Sequence, residues 1–502
     1  MIQLKHPLRW MPIALILILA AVLYGYQLEG ESLSIIESYS IGSAKGPLNH
    51  FNRPLYFWLL RGWMYFGVND AWLRGLSVVF GVICVGLTYQ LGKQLVNRTT
   101  GLMAALLLTL SPLAIYFTQE VRFYMMSACL GVAGSLMLTQ VLTKLNRKTI
   151  NIAGWLLLRF LGVLTAQVNM LLLVPDGLLL LTVGRSQLQR LLKNRYVIWI
   201  LGLLTIPVIL LAKDIVPPLI DFLEDGRAID KPGAIDIVRS LSSFNAWPSL
   251  SPWASLTSLY DLFFKIYALA ILGLVGCGLV LAWRNYPDRK LSWAVYWGFL
   301  PLVMTFLFSQ ASPRLWDVRY LFVAAPYLLI LIAATIQWLY QKASWHRLIA
   351  YGAIGLIAIA TLSSLTRFYT QSYREDWRNL AATIAQQEQS GDAIVVYPDF
   401  TVPSVEHYYN GQLPIYPIDL DLDYPLDVVS EITPQNLDEA IANLARQQKR
   451  FWLVFLSYDE WGNYQEEIIN LLKQNEFFLE SETTFYDQWD WGPILYLFTK
   501  KE

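Results

Sequence analysis

The segment SPLAIYFTQEVRFYMMS, Ser111 to Ser127, decides the fold. It joins two apolar runs, Gly101–Phe117 and Phe123–Val141. Each approaches the roughly 20 residues that a membrane-crossing helix needs. Pro112 removes a backbone donor and crowds the preceding turn, so the spacing predicts a bend there. Glu120 and Arg122 then fall where the chain turns back, and Tyr124 opens the next helix. Residues two apart on a helix do not face each other. The carboxylate and the guanidinium therefore reach different partners, around a cavity in one reading and toward water in the other.

Working outward, nine more apolar runs appear: Trp10–Tyr26, Leu73–Leu91, Ile150–Thr165, Asn169–Val183, Tyr196–Leu211, Ile266–Trp283, Leu291–Phe308, Tyr320–Tyr340 and Leu348–Leu365. The expectation is eleven transmembrane helices. No small-residue cleavage site follows the first run, so it reads as an anchor and not as a signal peptide. Only 15% of the residues are charged and 55% are hydrophobic, where soluble domains carry about 25% charge. That argues against an ordinary soluble enzyme and excludes a disordered chain. Lys plus Arg and Asp plus Glu both number 38, so no basic excess points to nucleic acid. Cys84, Cys129 and Cys277 all lie in apolar runs. They read as small buried hydrophobes.

The balanced charge is segregated. Residues 1–366 hold 29 basic and 15 acidic side chains, a net +14; residues 367–502 hold 9 and 23, a net −14. This places a domain boundary near Arg367: a transmembrane domain over 1–366, with external loops 27–72 and 212–265, then an α/β domain over 367–502. With the N-terminus in the cytoplasm, the alternating cytoplasmic segments contain sixteen basic residues and one acid, Asp288. That is the positive-inside pattern. It places the acidic tail outside the cytoplasm, at the plasma (inner) membrane. In the tail, helical runs at Trp377–Gln387, Leu437–Gln448 and Tyr464–Gln474 alternate with strand-like runs at Ala393–Tyr397, Phe451–Phe455, Phe477–Phe485 and Pro493–Phe498. Such alternation predicts a layered α/β sheet. No Gly-rich phosphate loop opens any of these helices, so nothing there points to nucleotide binding.

Candidate chemistry gathers on the external side. The first loop carries Glu29, Glu31 and Glu37, then Arg53 and Tyr56 before a run of aromatic residues. A carboxylate at the membrane surface can act as a general base; a solvated acidic loop and an interfacial aromatic belt are the plainer alternatives. Arg314, Asp317, Arg319 and Tyr320 lie between the ninth and tenth runs, against the positive-inside trend. Guanidinium groups there suit a phosphate, through paired hydrogen bonds, or a lipid headgroup. Arg159 and Asp176 fall at membrane depth, at similar distances on either side of the turn near Gln167. An antiparallel hairpin puts them level, which predicts a buried ion pair. Acidic residues converge in the first two external loops, but no spacing demands a divalent metal.

These features together resemble a known family. One helix, an acidic external loop, Pro54-Leu55-Tyr56, an LRG helix and then SP-x4-FTQE-x-R-x-Y resemble the lipid-dependent membrane glycosyltransferases of GT-C architecture. Specifically they look like the family thirty-nine branch, with the protein O-mannosyltransferases and the aminoarabinose transferase of lipid A. The resemblance covers most of residues 10–370. It implies a polyprenyl-phosphate sugar donor, a lipid, glycan or protein acceptor, and a site facing away from the cytoplasm. It implies that Glu120, Arg122 and Tyr124 line the external cavity; with the residue reading above, Glu37 and Glu120 are the candidate catalytic carboxylates, and Arg53, Tyr56, Arg122, Tyr124, Arg319 and Tyr320 the candidate substrate-binding residues. Family members carry Asp-Glu in the first loop where this chain has Ile36-Glu37, and His-Pro where it has Asn52-Arg53. A catalytically altered scaffold that binds lipid-linked glycan is therefore a second expectation. A flippase is a third, disfavoured because no paired half-repeats are visible.

Overall fold

The computed structural model describes residues 10–46, 53–143, 148–185, 231–244, 259–284, 290–312, 315–342, 344–418, 441–442, 446, 448–457, 463–486 and 492–500. The chain divides into two compact units. The first comprises residues 1–26, 49–67 and 72–367; the second comprises 27–48, 68–71 and 368–502. Residues 27–48 and 68–71, from the expected first external loop, thus belong with the tail.

The first unit is helical. Among the described residues, six helices are long and apolar enough to cross a membrane: Asp70–Leu95 (whose first two residues fall in the second unit), Tyr124–Thr143, Leu262–Trp283, Leu291–Ser309, Val318–Gln341 and Ser344–Thr370. A seventh is counted if Arg98–Leu110 and Pro112–Thr118 form one span, bent by 62° at the position where Pro112 predicts a bend. Length separates this count from the expected eleven. Met11–Gly25 has 15 residues, about 22 Å of helix against a hydrocarbon core of about 30 Å. Ile150–Thr165 and Gln167–Thr182 are also short. The run Tyr196–Leu211 lies outside the described residues.

Arg159 and Asp176 do form a buried ion pair, with Nε to Oδ2 at 2.7 Å. Their partners explain how charge is tolerated here. Asp176 Oδ2 also accepts from Trp155 Nε1 at 2.7 Å, and Oδ1 accepts from Arg159 Nη2 at 2.9 Å and Trp297 Nε1 at 2.7 Å. Arg159 Nη1 donates to Gly131 O and Nη2 to Ser135 Oγ, each at 2.7 Å. Gly134 leaves room for the guanidinium, since a Cβ there would sit 2.8 Å from Nη1. A buried charge is stable only when paired and hydrogen-bonded. This network meets that condition and ties together four helical segments.

The second unit contains a five-stranded sheet in the order β2-β1-β3-β5-β4. Its strands are β1 Ala393–Tyr397, β2 Ile415–Pro417, β3 Arg450–Ser457, β4 Phe477–Thr484 and β5 Gly492–Lys500. β1 is parallel to β2 and β3, while β5 is antiparallel to β3 and β4. The sequences AIVVY and FWLVFL are apolar at every position because both faces of the sheet are covered. Val395, Leu453 and Phe498 pack with Ile468 and Leu472 of the helix Asn463–Gln474. On the other face, Ile394, Val396 and Trp452 pack with Trp377, Leu380 and Ile384 of the helix Trp377–Gln387. The expected helix Leu437–Gln448 falls mostly outside the described residues. The helix Ile35–Lys45 was not expected. Its signal is the capping pattern S-x-x-E at Ser34–Glu37.

Candidate functional site

In the first unit, the Ser111–Tyr124 motif can be explained residue by residue. Ser111 Oγ accepts from Ala114 N at 3.2 Å, capping the helix that Pro112 opens, and it donates to Phe244 O. Phe117 packs on Tyr124 at 4.8 Å and on Phe322 at 5.0 Å between ring centroids. Thr118 approaches the helix Asp70–Leu95 so closely that a Cβ on Gly81 would meet its methyl at 2.4 Å. Gln119 Nε2 donates to Tyr26 O at 2.9 Å. Ser77 Oγ lies 2.6 Å from Glu120 O and 3.2 Å from Arg122 O. The turn carrying Glu120 and Arg122 is therefore held at its backbone.

Both side chains are buried. The Arg122 guanidinium carbon lies 5.3 Å from the centre of the Phe123 ring, and that of Arg53 lies 4.1 Å from the same centre. Tyr56 meets Phe123 edge-on at 6.3 Å, and Tyr124 lies beside it at 4.5 Å. Arg319 is within electrostatic reach of Arg122, Tyr124 and Tyr320, and Tyr320 is within reach of Arg53. Asp317 aims Arg319, accepting from its Nε at 2.7 Å and its backbone N–H at 2.8 Å. Thus Arg53, Tyr56, Arg122, Tyr124, Arg319 and Tyr320 come together, with Glu120 close enough to act on Arg122 electrostatically. Among the described residues, three guanidinium groups and two carboxylates give this cluster a positive balance, which suits an anion. The sequence reading missed Phe123, whose place between Arg122 and Tyr124 was the available clue. Arg314 lies outside the described residues.

Glu37 belongs to the second unit, where it is fully buried. Its Oε2 accepts from Ser34 N at 2.8 Å, closing the capping box with Ser34 Oγ, and lies 3.3 Å from Arg374 Nε. Arg374 Nη1 also pairs with Glu31 Oε2 at 3.0 Å. Asp70 accepts from Arg378 Nη2 at 2.7 Å and from Tyr408 OH at 2.6 Å, and lies 2.9 Å from His407 Nε2. The acidic loop is thus neutralised by tail residues more than 300 positions away, a pairing that no local pattern encodes. Among the described residues, no three His, Cys, Asp or Glu side chains converge as a metal ion would require.

Glu375 stands next to this network, and among the described residues its Oε2 has no hydrogen-bond partner. Burial, with Glu37 adding to it, pushes its carboxyl from 4.5 to about 7. A raised value means that the folded state keeps a proton the unfolded chain releases. The resulting stability is complete below about pH 4.5 and is lost as pH rises to about 7. Glu375→Gln is therefore expected to flatten the fall in unfolding midpoint across this window. An unchanged fall in the variant would remove Glu375 as its source.

No family model matches the sequence, and no curated protein matches it. Solved structures match it in fold. ArnT from Cupriavidus metallidurans bound to undecaprenyl phosphate aligns over 97% of this chain and 98% of its own, at 12% identity and a TM-score of 0.61. The apo oligosaccharyltransferase of Archaeoglobus fulgidus aligns over 95% and 75%, at 10% identity and 0.54. The mycobacterial arabinofuranosyltransferase AftD aligns over 98% of this chain but 42% of its own, at 13% and 0.52. At these identities the likeness is one of fold. The chain accordingly has the GT-C fold of membrane glycosyltransferases that the Ser111–Tyr124 motif implied.

Proposed function

We propose that this chain transfers a sugar from a polyprenyl-phosphate donor to a lipid, glycan or protein acceptor on the extracytoplasmic side of the plasma membrane. The observation that carries this reading is the meeting of Arg53 and Arg122 on one ring, with Arg319 in electrostatic reach. Proteins of the same fold hold undecaprenyl phosphate, in ArnT, and dolichol-phosphate, in the Archaeoglobus fulgidus oligosaccharyltransferase AglB. The sixteen-to-one charge asymmetry supports eleven spans, with a cytoplasmic N-terminus and residues 367–502 outside.

In the proposed reaction an acceptor hydroxyl or amine attacks the anomeric carbon. Its bond to that carbon forms as the bond from carbon to phosphate oxygen breaks, with inversion. The lipid phosphate leaves with the electron pair, and the arginines stabilise the charge that develops on it. Glu120 accepts the acceptor's proton. Glu37, paired with Arg374, fixes the first external loop. Ile36 at the family's Asp position, partly exposed, supports the second reading, a scaffold that binds lipid-linked glycan without turnover.

Transfer from a labelled polyprenyl-phosphate sugar by the purified full chain separates the two. Glu120→Gln is expected to lower turnover by about 10²–10⁴-fold while donor binding persists, and Glu37→Gln to lower it as well. Wild-type rates in both variants would refute the assignment. Donor binding without any transfer by the wild-type chain would select the scaffold.

A further inference from the structure

Two guanidinium groups, Arg122 buried and Arg53 half-buried, meet at one aromatic ring. Arg53 precedes the helix Pro54–Met64, and Arg122 lies in the turn before Tyr124. They come from segments some seventy residues apart in the chain, yet both guanidinium groups lie over the Phe123 ring, at 4.1 Å and 5.3 Å from its centre. The ring is 2% exposed. An aromatic face attracts a cation through its ring quadrupole, more strongly where water is excluded. Phe123 is itself braced. Tyr56 meets it at an interplanar angle of 73°, and Tyr124 at 54°. Its neighbours in the chain are fixed through Ser77, which holds the carbonyls of Glu120 and Arg122. The ring therefore has little freedom to move away from its two cations.

We propose that Phe123 is a positioning residue for anion recognition. Its ring presets the spacing of Arg53 and Arg122, so that a phosphate meets two guanidinium groups already in place. This rests on the phosphate-site reading above and deepens it. The ring touches neither the sugar nor the phosphate; it acts through the two arginines. Without it the two guanidinium groups lose the surface they share, and part of the binding free energy is spent on restoring their spacing. The ligand class is a phosphate headgroup, borne by a polyprenyl lipid or free in solution.

The test replaces Phe123 with phenylalanines carrying one, three and five ring fluorines. These keep the shape while draining the negative face of the ring. Binding of polyprenyl phosphate, of polyprenol and of inorganic phosphate is measured on the full chain in nanodiscs, alongside the unfolding midpoint. The expected result is a stepwise rise in the dissociation constant for polyprenyl phosphate, to about tenfold with five fluorines. Retention of polyprenol and the unfolding midpoint stay level. A parallel, weaker trend with inorganic phosphate shows that the ring serves the anion itself. A trend with inorganic phosphate but none with the lipid overturns the lipid headgroup as the ligand. A flat series in a wild-type chain that binds polyprenyl phosphate overturns the role of Phe123 alone. A wild-type chain that does not bind polyprenyl phosphate overturns the phosphate-site reading itself. Phe123→Leu removes the ring altogether and is expected to lose at least as much affinity. Should it fail to fold, the fluorinated series still decides.

Discussion

Arg122→Ala is expected to lower the rate of sugar transfer by about 10²–10³-fold, the usual effect of removing one group that stabilises developing charge. The loss should appear in the turnover number as well as in donor affinity, because a leaving phosphate carries more negative charge than the bound donor. Arg122→Lys keeps the charge but not the planar fork, so it should recover only part of the loss. The variant should still fold. The turn is held through the backbone carbonyls of Glu120 and Arg122 by Ser77 and through the Gln119 side chain by Tyr26 O, and none of these depends on the guanidinium. A variant that folds and transfers at the wild-type rate would remove Arg122 from the site.

The second large effect concerns stability. Asp176→Ala leaves the Arg159 guanidinium buried without its counter-ion and takes the acceptor from Trp155 Nε1 and Trp297 Nε1. The expected destabilisation is about 3–5 kcal/mol, read as a lowered unfolding midpoint of the purified protein. Combining it with Arg159→Met should give a loss well below the sum of the two. The coupling should be about 2–3 kcal/mol, because the double variant no longer buries an unpaired charge. It will not return to wild type, since the two indole N–H groups remain without their acceptor. Simple additivity would mean that the pair contributes nothing jointly and that the network is incidental.

That ion pair was legible because two residues at equal depth on a hairpin must meet. The bend at Pro112 was legible because proline breaks the ladder locally. Trp377–Gln387 and Ala393–Tyr397 came out with their boundaries because periodicity and β-branching are local properties. Other features were not readable in this way. The first external loop looked like a solvated acidic stretch, yet Glu31 and Glu37 pair with Arg374, and Asp70 with Arg378 and His407. Each pairing joins positions more than 300 residues apart, and sequence periodicity carries no information on that scale. Six described helices, or seven with the bent pair, have the length to span, against eleven apolar runs, for a different reason. Hydropathy registers an apolar run wherever it occurs, but Met11–Gly25 is shorter than the hydrocarbon core it would have to cross at normal incidence. In the site, the charged residues were found because external arginines break the positive-inside pattern. Phe123 was overlooked because a phenylalanine beside an apolar run looks like lipid-facing surface. Its role emerges only once the two guanidinium groups are seen over its ring.

The cluster of Arg53, Arg122 and Arg319 is proposed to recognise a lipid phosphate. Native mass spectrometry of the full chain, exposed in turn to polyprenyl phosphate and to the polyprenol of the same length, tests it most directly. The wild-type chain is expected to retain the phosphate-bearing lipid strongly over the alcohol, and Arg53→Gln, Arg122→Gln and Arg319→Gln together to erase the difference. Equal retention of the two lipids by the wild-type chain, or a preference that survives the triple substitution, would contradict it.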